Sequence, residues 1–310
     1  MAPSKRKLRA GSTPLPYTPE DALHIRETGR LCHGQPPPRP FNRSGFYLNS
    51  LRGCPLLKWP PELPKHDARG NPSVPEFESW KKAQDSKIGI AGNYFSFKGG
   101  GNVPCHSSLE QWHLSCFEMN PFVVEIRTQY PEWSRSQYAQ MKSIRERMLK
   151  RSLMSIDFLL TLKIPGCSGF HYHGVSTKPY ELLLDPAAMR RHEREETMLA
   201  EWGCTHEIMT QHTFTTKEID NNQRLFEYMR YTEDISAHQR EASLLAELLS
   251  GDKVLRSCDT KIGLVAEHFG WTRDRSYRIF AIANFLGYIS VDHAYEILPD
   301  KPLHLRVNQL

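Results

Sequence analysis

Two extended runs on either side of a tight-turn sequence constrain the fold of this chain most. The first run covers Leu153–Lys163 and the second covers Phe170–Pro179, and both are rich in apolar, aromatic and β-branched residues. Between them lies Pro165–Gly169, where proline, serine and two glycines favour a reversal of the chain. The pattern predicts an antiparallel hairpin whose turn is centred on Cys167 and Ser168.

This predicted hairpin brings a carboxylate close to a lysine. Symmetrical pairing about the turn sets Asp157 directly opposite Lys178, and cross-strand partners lie roughly 5 Å apart at Cβ. Ser176 falls on the same face as Lys178, because side chains alternate along a strand. A carboxylate beside a lysine, with Glu110 upstream, outlines a metal-dependent nuclease. In such a site carboxylates hold the divalent ion, and the lysine steadies the attacking water or the charge that develops on a phosphate.

Glu110 has a second interpretation. Ser107 and Glu110 have the spacing of a capping box, in which the acidic side chain bonds the start of its own helix. Spacing alone leaves both interpretations open.

Other polar residues near these motifs are predicted to have supporting roles. Glu125 is expected near the site, behind the metal ligands. Alternation turns His171 and His173 away from the face of Lys178. Three glutamates of a later helix are expected to form a solvated charged face: Glu193, Glu195 and Glu196.

The chain divides into three predicted regions. Residues 1–75 carry fourteen of the 22 prolines and form a basic, proline-rich arm, and residues 76–235 form an α/β region. In that region a strand is predicted at Phe122–Arg127, a basic helix at Gln137–Lys150 and another strand at His206–Gln211. A helix opening at Asp185-Pro186 joins the second hairpin strand to His206–Gln211, which predicts a parallel crossover in a small mixed sheet.

Residues 236–310 form the third region, with three predicted helices followed by extended segments at Tyr288–Asp292 and Tyr295–Leu298. This order is typical of a winged helix, whose third helix usually reads the major groove. Three arginines lie toward the start of that helix and are the candidate DNA contacts: Arg273, Arg275 and Arg278. Winged helices also bind proteins, so both kinds of contact remain open.

Composition indicates the compartment and the class of partner. The formal net charge is +5, and Arg135–Arg151 holds six basic residues with a single acid. Such local excess favours a polyanion, although a basic helix can also be a plain solvated face. The seven cysteines contain no C-x-x-C pair, the Leu31-Cys32-His33 cluster with Cys54 fits no standard zinc spacing, and no run approaches a membrane span. We therefore expect a cytoplasmic protein with reduced thiols and no membrane partner.

Five short motifs in register resemble TnsA-type proteins, the heteromeric transposase endonuclease subunits of Tn-seven-like transposons. The resemblance extends over about residues 95–232 and leaves the proline-rich arm unexplained. The motifs are LE, VVEIRTQYP, MSIDFLL, GVSTKP and FTTKEI, beginning at Leu109, Val123, Met154, Gly174 and Phe214.

The resemblance implies an α/β restriction-endonuclease-like core of the PD-(D/E)xK type. By motif, Glu110 and Asp157 would bind Mg²⁺ and Lys178 would be catalytic, with Mn²⁺ able to substitute. The family usually carries Gln where Ser176 stands, so a backbone carbonyl, that of Thr177 or of Val175, is expected as the further ligand.

The resemblance also implies partners and a reaction. Such a subunit cuts the non-transferred strand of double-stranded DNA at transposon ends. It acts with a DDE-type transposase, TnsB, and an AAA+ ATPase, TnsC, in the bacterial cytoplasm and near the nucleoid. Two alternatives remain open: a restriction or repair nuclease with the same core, and an inert winged-helix DNA-binding or adaptor subunit.

Overall fold

The computed structural model describes residues 44–86, 90–146 and 153–306. The first 43 residues of the predicted arm, which include the Leu31-Cys32-His33 cluster, and the end of the predicted basic helix lie outside these residues. Within them the chain is an α/β protein in which a mixed four-stranded sheet is followed by a C-terminal helical region.

The sheet has the strand order β3-β4-β5-β6, in which the first two pairings are antiparallel and the last is parallel. A separate antiparallel pair, β1 with β2, precedes it. The strands are β1 (Gly92–Ser96), β2 (Gly101–Cys105), β3 (Val123–Glu132), β4 (Met154–Leu162), β5 (His171–Thr177) and β6 (Thr205–Met209).

The helices pack on both faces of this sheet and beyond its end. They are α1 (Ser108–Met119), α2 (Arg135–Ser143), α3 (Pro186–Ala200), α4 (Thr216–Met229), α5 (Gln239–Gly251), α6 (Cys258–Phe269) and α7 (Arg273–Phe285). None of the helices in the described residues is long and apolar enough to cross a membrane.

The predicted crossover is confirmed, because β5, α3 and β6 form a parallel unit. The Asp185 carboxylate accepts the Ala187 N–H at the start of α3, and Pro186 occupies the first helical position, where its missing N–H costs nothing. Gly203, at φ +74, allows the chain to turn into β6. The Thr215 hydroxyl likewise accepts the Glu218 N–H and opens α4.

The predicted hairpin also forms, but its register was wrong by two residues. Phe158 pairs with Val175, so the register continued by one residue sets Asp157 opposite Ser176 rather than Lys178. The cause lies in the turn. Gly166 adopts φ +82, and the Cys167 N–H bonds the Ile164 carbonyl, which reverses the chain one residue earlier than a symmetrical turn would.

The C-terminal helices share one apolar core with the end of the α/β region. Leu225 and Met229 of α4 lie in the same buried cluster as Ile262 of α6 and Phe280 of α7. After α7, Val291 bridges to Leu305 and not to the predicted Tyr295–Leu298 segment, because the chain turns just beyond Val291.

The described part of the proline-rich arm is held against the end of α7. The Leu57 N–H donates to the Leu286 carbonyl at 2.9 Å, and the Cys54 thiol donates to the Gly287 carbonyl at 3.4 Å. Gly287 has φ +80, and a Cβ at this position would lie 2.1 Å from the Pro55 carbonyl oxygen. Only glycine therefore fits where the arm crosses the helix end.

We expect Gly287→Ala to lower the free energy of unfolding by about 2 kcal/mol or more, because left-handed backbone strain adds to the displacement of the arm. Chemical denaturation measures this loss. Gly251→Ala is the matched control, because a Cβ there would meet no atom within 4 Å. Equal effects of the two substitutions would contradict the role of this contact.

Candidate active site

The sheet opens at Asp157. The backbone pairing of β4 with β5 ends at Phe158 and Val175. Beyond this point the Asp157 carboxylate, and not a backbone carbonyl of β4, accepts the hydrogen bond from β5. Its Oδ2 accepts the Thr177 N–H at 2.7 Å and the Thr177 hydroxyl at 3.1 Å. The side chain thus holds two diverging strands at a fixed separation, and its own orientation is fixed in return.

Strand alternation breaks at the same point. Phe158 belongs to the buried cluster of Phe117 in α1, whereas Ile156 packs with Leu199 of α3 on the other side. Residues two apart on a regular strand would share one face. Across from Asp157 on β3, Gln129 has φ +48, an uncommon conformation for a residue with a side chain. Because alternation breaks between Ile156 and Phe158, Asp157 lies between the two apolar clusters and belongs to neither of them.

Glu110 lies in the first turn of α1, where it takes part in capping the helix and also lies near Asp157. The Ser107 hydroxyl accepts the Glu110 N–H at 3.2 Å, which caps the helix. The Glu110 carboxylate accepts the His106 N–H at 2.8 Å and the Gln129 side-chain amide at 3.2 Å. Because Asp157 acts electrostatically on the same carboxylate, capping and proximity to the site coexist.

The electrostatics of Glu110 reflect a carboxylate that lacks enough positive charge. Burial, followed by the negative charge of Asp157, raises the pKa of Glu110 to about 8, although the Lys178 ammonium opposes this. A buried carboxylate near a second one ionises reluctantly unless a cation joins them. A positive charge placed between the two carboxylates would therefore favour the ionised form of Glu110.

Two lysines supply positive charge at the rim of this site. Lys178 Nζ lies 3.9 Å from Asp157 Oδ2, and the Lys178 side chain is 23% exposed. Lys81 is partly buried, and burial together with the charges of Arg191 and Lys178 lowers its pKa. Sequence analysis missed Lys81, because it precedes the motifs and lies in a segment without strand or helix periodicity.

The other predicted site residues have different positions. Thr177 is at the site as a hydrogen-bond donor to Asp157. The expectation for Glu125 was wrong: its carboxylate accepts the Val74 N–H and the Thr161 hydroxyl, four residues along β3 from Gln129. A strand rises roughly 3.3 Å per residue, so Glu125 is too far along β3 to support Asp157.

The arginines Arg273, Arg275 and Arg278 all lie on α7 in the C-terminal helical region. Arg273 pairs with Asp259 and Arg275 pairs with Glu241, and both side chains remain about half exposed, at 52% and 47%. Their ion pairs would compete with phosphate for the same guanidinium groups.

The expectation of a solvated glutamate face on α3 was wrong for Glu195, which is 1% exposed. Its carboxylate accepts the Ser176 hydroxyl at 2.7 Å, His192 Nδ1 lies 2.9 Å away, and Arg191 Nε donates at 2.7 Å. The signal was present in the sequence, since His192, Glu195 and Leu199 follow the spacing of one helix face. The acidic neighbours of Glu195 concealed that spacing.

The histidines of β5 bond to β6 rather than to the Lys178 region. His171 and His173 contact the Thr205 hydroxyl at 2.8 and 2.7 Å, and His173 also lies 3.3 Å from Glu207.

In comparisons with known proteins, no family model matches this sequence, and no curated protein sequence matches it significantly.

The raised pKa of Glu110 predicts a pH-dependent effect of Glu110→Gln. Between pH 5 and 8 the folded chain keeps a proton on Glu110 that the unfolded chain has lost, so the stability of the unsubstituted protein falls as pH rises through this window. Glutamine stays neutral. We expect the variant to gain about 2 kcal/mol or more relative to the parent from pH 5 to pH 8 without divalent ions.

Denaturation of both proteins across this range, in the presence of a chelator, measures the difference. Glu193→Gln, an exposed position on α3, is the control and should show a constant difference. A constant difference for Glu110→Gln as well would contradict the electrostatic account of this carboxylate.

Proposed function

We propose that this protein is a metal-dependent DNA endonuclease of the TnsA type, which hydrolyses the non-transferred strand at transposon ends. Its α/β region would then be a restriction-endonuclease-like core of the PD-(D/E)xK type, and its C-terminal region a winged helix. The observation that carries the proposal is the meeting of Glu110, Asp157 and Lys178 where β4 and β5 diverge.

The residues present fit a hard divalent cation. Glu110 and Asp157 offer carboxylate oxygens, and a cation bound between them would offset the burial and the Asp157 charge that raise the pKa of Glu110. Mg²⁺ is usually bound by one or two carboxylates and keeps several waters, so this small protein ligand set is sufficient, with the Thr177 carbonyl as a further candidate. When bound, Mg²⁺ or Mn²⁺ would lower the pKa of an attacking water and offset the charge of the phosphate.

The chain's own residues would orient the substrate. Thr177 fixes the Asp157 carboxylate through two hydrogen bonds, so the ligand oxygen does not need to reorganise. Lys178 is held by strand geometry, because its N–H bonds the Met209 carbonyl while its ammonium group reaches the rim. There it would stabilise the negative charge that develops on the scissile phosphate. Lys81, on the same side, would add a second positive charge.

The remaining parts of the proposal concern partners. Double-stranded DNA would contact α7 through Arg273, Arg275 and Arg278, and a DDE-type transposase, TnsB, would cut and join the other strand. An AAA+ ATPase, TnsC, would license the pair at its target. The supports are the resemblance of the five motifs and the half-exposed side chains of Arg273 and Arg275.

The proposal predicts that Asp157→Asn abolishes nicking of transposon-end DNA in Mg²⁺ and in Mn²⁺. Asparagine retains an oxygen that can accept the Thr177 N–H, so the strands should stay in place while one charge is lost from the metal ligands. We expect nicking to fall at least a hundredfold. The assay uses supercoiled DNA carrying the transposon end, with and without the DDE partner.

Glu193→Gln is the matched control, because it removes an exposed carboxylate from α3 and should leave nicking unchanged. Full nicking by a folded Asp157→Asn variant would exclude Asp157 as a metal ligand. Activity that persists in chelator would exclude the metal-dependent mechanism altogether.

A further prediction concerns α7. Replacing Arg273, Arg275 and Arg278 together with alanine should reduce the slope of log affinity against log salt by up to about three, if each contacts a phosphate. Because two of them already form ion pairs, a smaller reduction means that one or more of these guanidinium groups stays with its acidic partner instead of a phosphate. Fluorescence anisotropy with duplex DNA at several salt concentrations measures the slope.

Arg194→Ala on α3 controls for a general loss of positive charge, since that residue is exposed away from α7. An unchanged slope in the triple variant would remove DNA binding from this helix.

A further inference from the structure

Four polar side chains converge beneath β5, on the α3 side of the sheet. His192 and Glu195 come from α3, His206 from β6 and Ser176 from β5, and each is 2% exposed or less. Within the described residues, the two histidines and Glu195 are the one group of three or more potential metal ligands whose ligand atoms all lie within 4.8 Å of one another.

The distances between these atoms fit a tetrahedral ion. His192 Nδ1 is 2.9 Å from Glu195 Oε2, and His206 Nε2 is 3.8 Å from the same oxygen. For metal–ligand bonds of about 2.0–2.1 Å, the edges of a tetrahedron are about 3.3 Å long. These two edges lie on either side of this value, so shifts of roughly half an ångström would bring both to it. The third edge, between the two histidine nitrogens, is no longer than 4.8 Å.

A fourth polar atom is already close. Ser176 Oγ lies 2.7 Å from Glu195 Oε2 and 3.2 Å from His206 Nε2. It can remain as a neighbour of the ion or occupy the fourth position.

Two of the three groups have the protonation states that metal ligands need, and His192 would release the Nδ1 proton that it donates to Glu195 when it binds an ion. Burial lowers the pKa of His206 to about 4, so its imidazole is neutral at physiological pH and offers a lone pair. Burial opposes ionisation of Glu195, but the hydrogen bond from His192 and the charge of Arg191 outweigh it and lower the pKa of Glu195 well below its usual value. Neutral imidazole and ionised carboxylate are the ligand forms.

The orientation of the Glu195 carboxylate is fixed by Arg191, on the side away from the histidines. Arg191 Nε donates to Oε1 at 2.7 Å, and a second Arg191 nitrogen donates to the Ser155 carbonyl at 3.2 Å. The other oxygen, Oε2, is therefore turned toward the histidines. Hydrogen bonds to the outer oxygen of a ligating carboxylate are the usual support of a metal site.

We propose that His192, Glu195 and His206 bind a Zn²⁺ ion that ties α3 to β5 and β6. Two imidazoles with one carboxylate are a zinc ligand set, whereas Mg²⁺ prefers oxygen ligands alone. The ion lies behind Ser176, two residues before Lys178, and it is separate from the cation expected at Glu110 and Asp157. The ion stabilises the end of β5, directly before Lys178. The proposal does not depend on whether the protein is a nuclease.

Metal analysis of the purified full-length chain tests this. After equilibration with Zn²⁺ and gel filtration, we expect about one zinc per chain, with the visible absorption of tetrahedral Co²⁺ when cobalt replaces zinc. His206→Gln and Glu195→Gln should each lose the zinc and the cobalt spectrum. His171→Ala and Asp157→Asn should keep both, because neither residue belongs to the group.

Thermal melting supplies a readout that needs no variant. Zn²⁺ should raise the melting temperature of the unsubstituted chain and a strong chelator should reverse the rise, while His206→Gln should show no response. If the variants fail to fold, the zinc content and cobalt spectrum of the unsubstituted chain decide.

Three outcomes would overturn the proposal. The first is an unsubstituted chain that retains no zinc and gives no cobalt spectrum, which would leave a hydrogen-bonded network without metal. The second is zinc that persists in folded His206→Gln. The third is zinc that is lost in Asp157→Asn, which would assign the ion to the other site.

Discussion

The hydrogen bonds between Asp157 and Thr177 are the contacts on which the arrangement of the site depends. They form where two antiparallel strands stop pairing, so a side-chain carboxylate replaces a backbone carbonyl as the hydrogen-bond acceptor between the strands. The same carboxylate adds to the effect of burial in raising the pKa of Glu110, and it lies 3.9 Å from the Lys178 ammonium. One residue therefore controls the opening of the sheet and the charge balance within that opening.

The sequence predicted those parts of the fold that are encoded locally. Capping by Ser107, Asp185 and Thr215 follows from neighbouring residues, and so does the crossover through α3, because helix starts and apolar periodicity are short-range signals. The register of the hairpin could not be predicted, since it depends on the left-handed conformation of Gly166 within a turn that has several possible forms.

The residues whose positions at the site were predicted wrongly or missed are placed by tertiary packing. Glu195 lies in an acidic stretch that is typical of solvent exposure, yet Arg191, His192 and Ser176 compensate its burial from three directions. Gln129 lies within the VVEIRTQYP motif but was not among the predicted ligands, and Lys81 lies in no motif. Both reach the site because β3 is irregular and the chain before β1 crosses the sheet edge. Such contacts join residues far apart in sequence, where periodicity gives no information.

The C-terminal helices are connected to the Glu110 helix by direct packing. Helix α4 packs against both α1 and α7, so it contacts the sheet region on one side and the C-terminal helices on the other. A displacement of α7 on binding a partner would therefore be transmitted to the helix whose first turn carries Glu110.

The crossing of the arm over Gly287 also constrains the order in which the chain can fold. Cys54 and its bonding partner Gly287 are separated by 233 positions, so the arm leaves the ribosome long before its binding surface exists. During synthesis the segment around Leu57 lacks its hydrogen-bond acceptor, the Leu286 carbonyl, while the sheet assembles. This contact can form only when α7 has folded. Closure of the arm is thus a late step of biogenesis, and a chain truncated before Gly287 would retain an undocked apolar segment that other proteins or chaperones could capture.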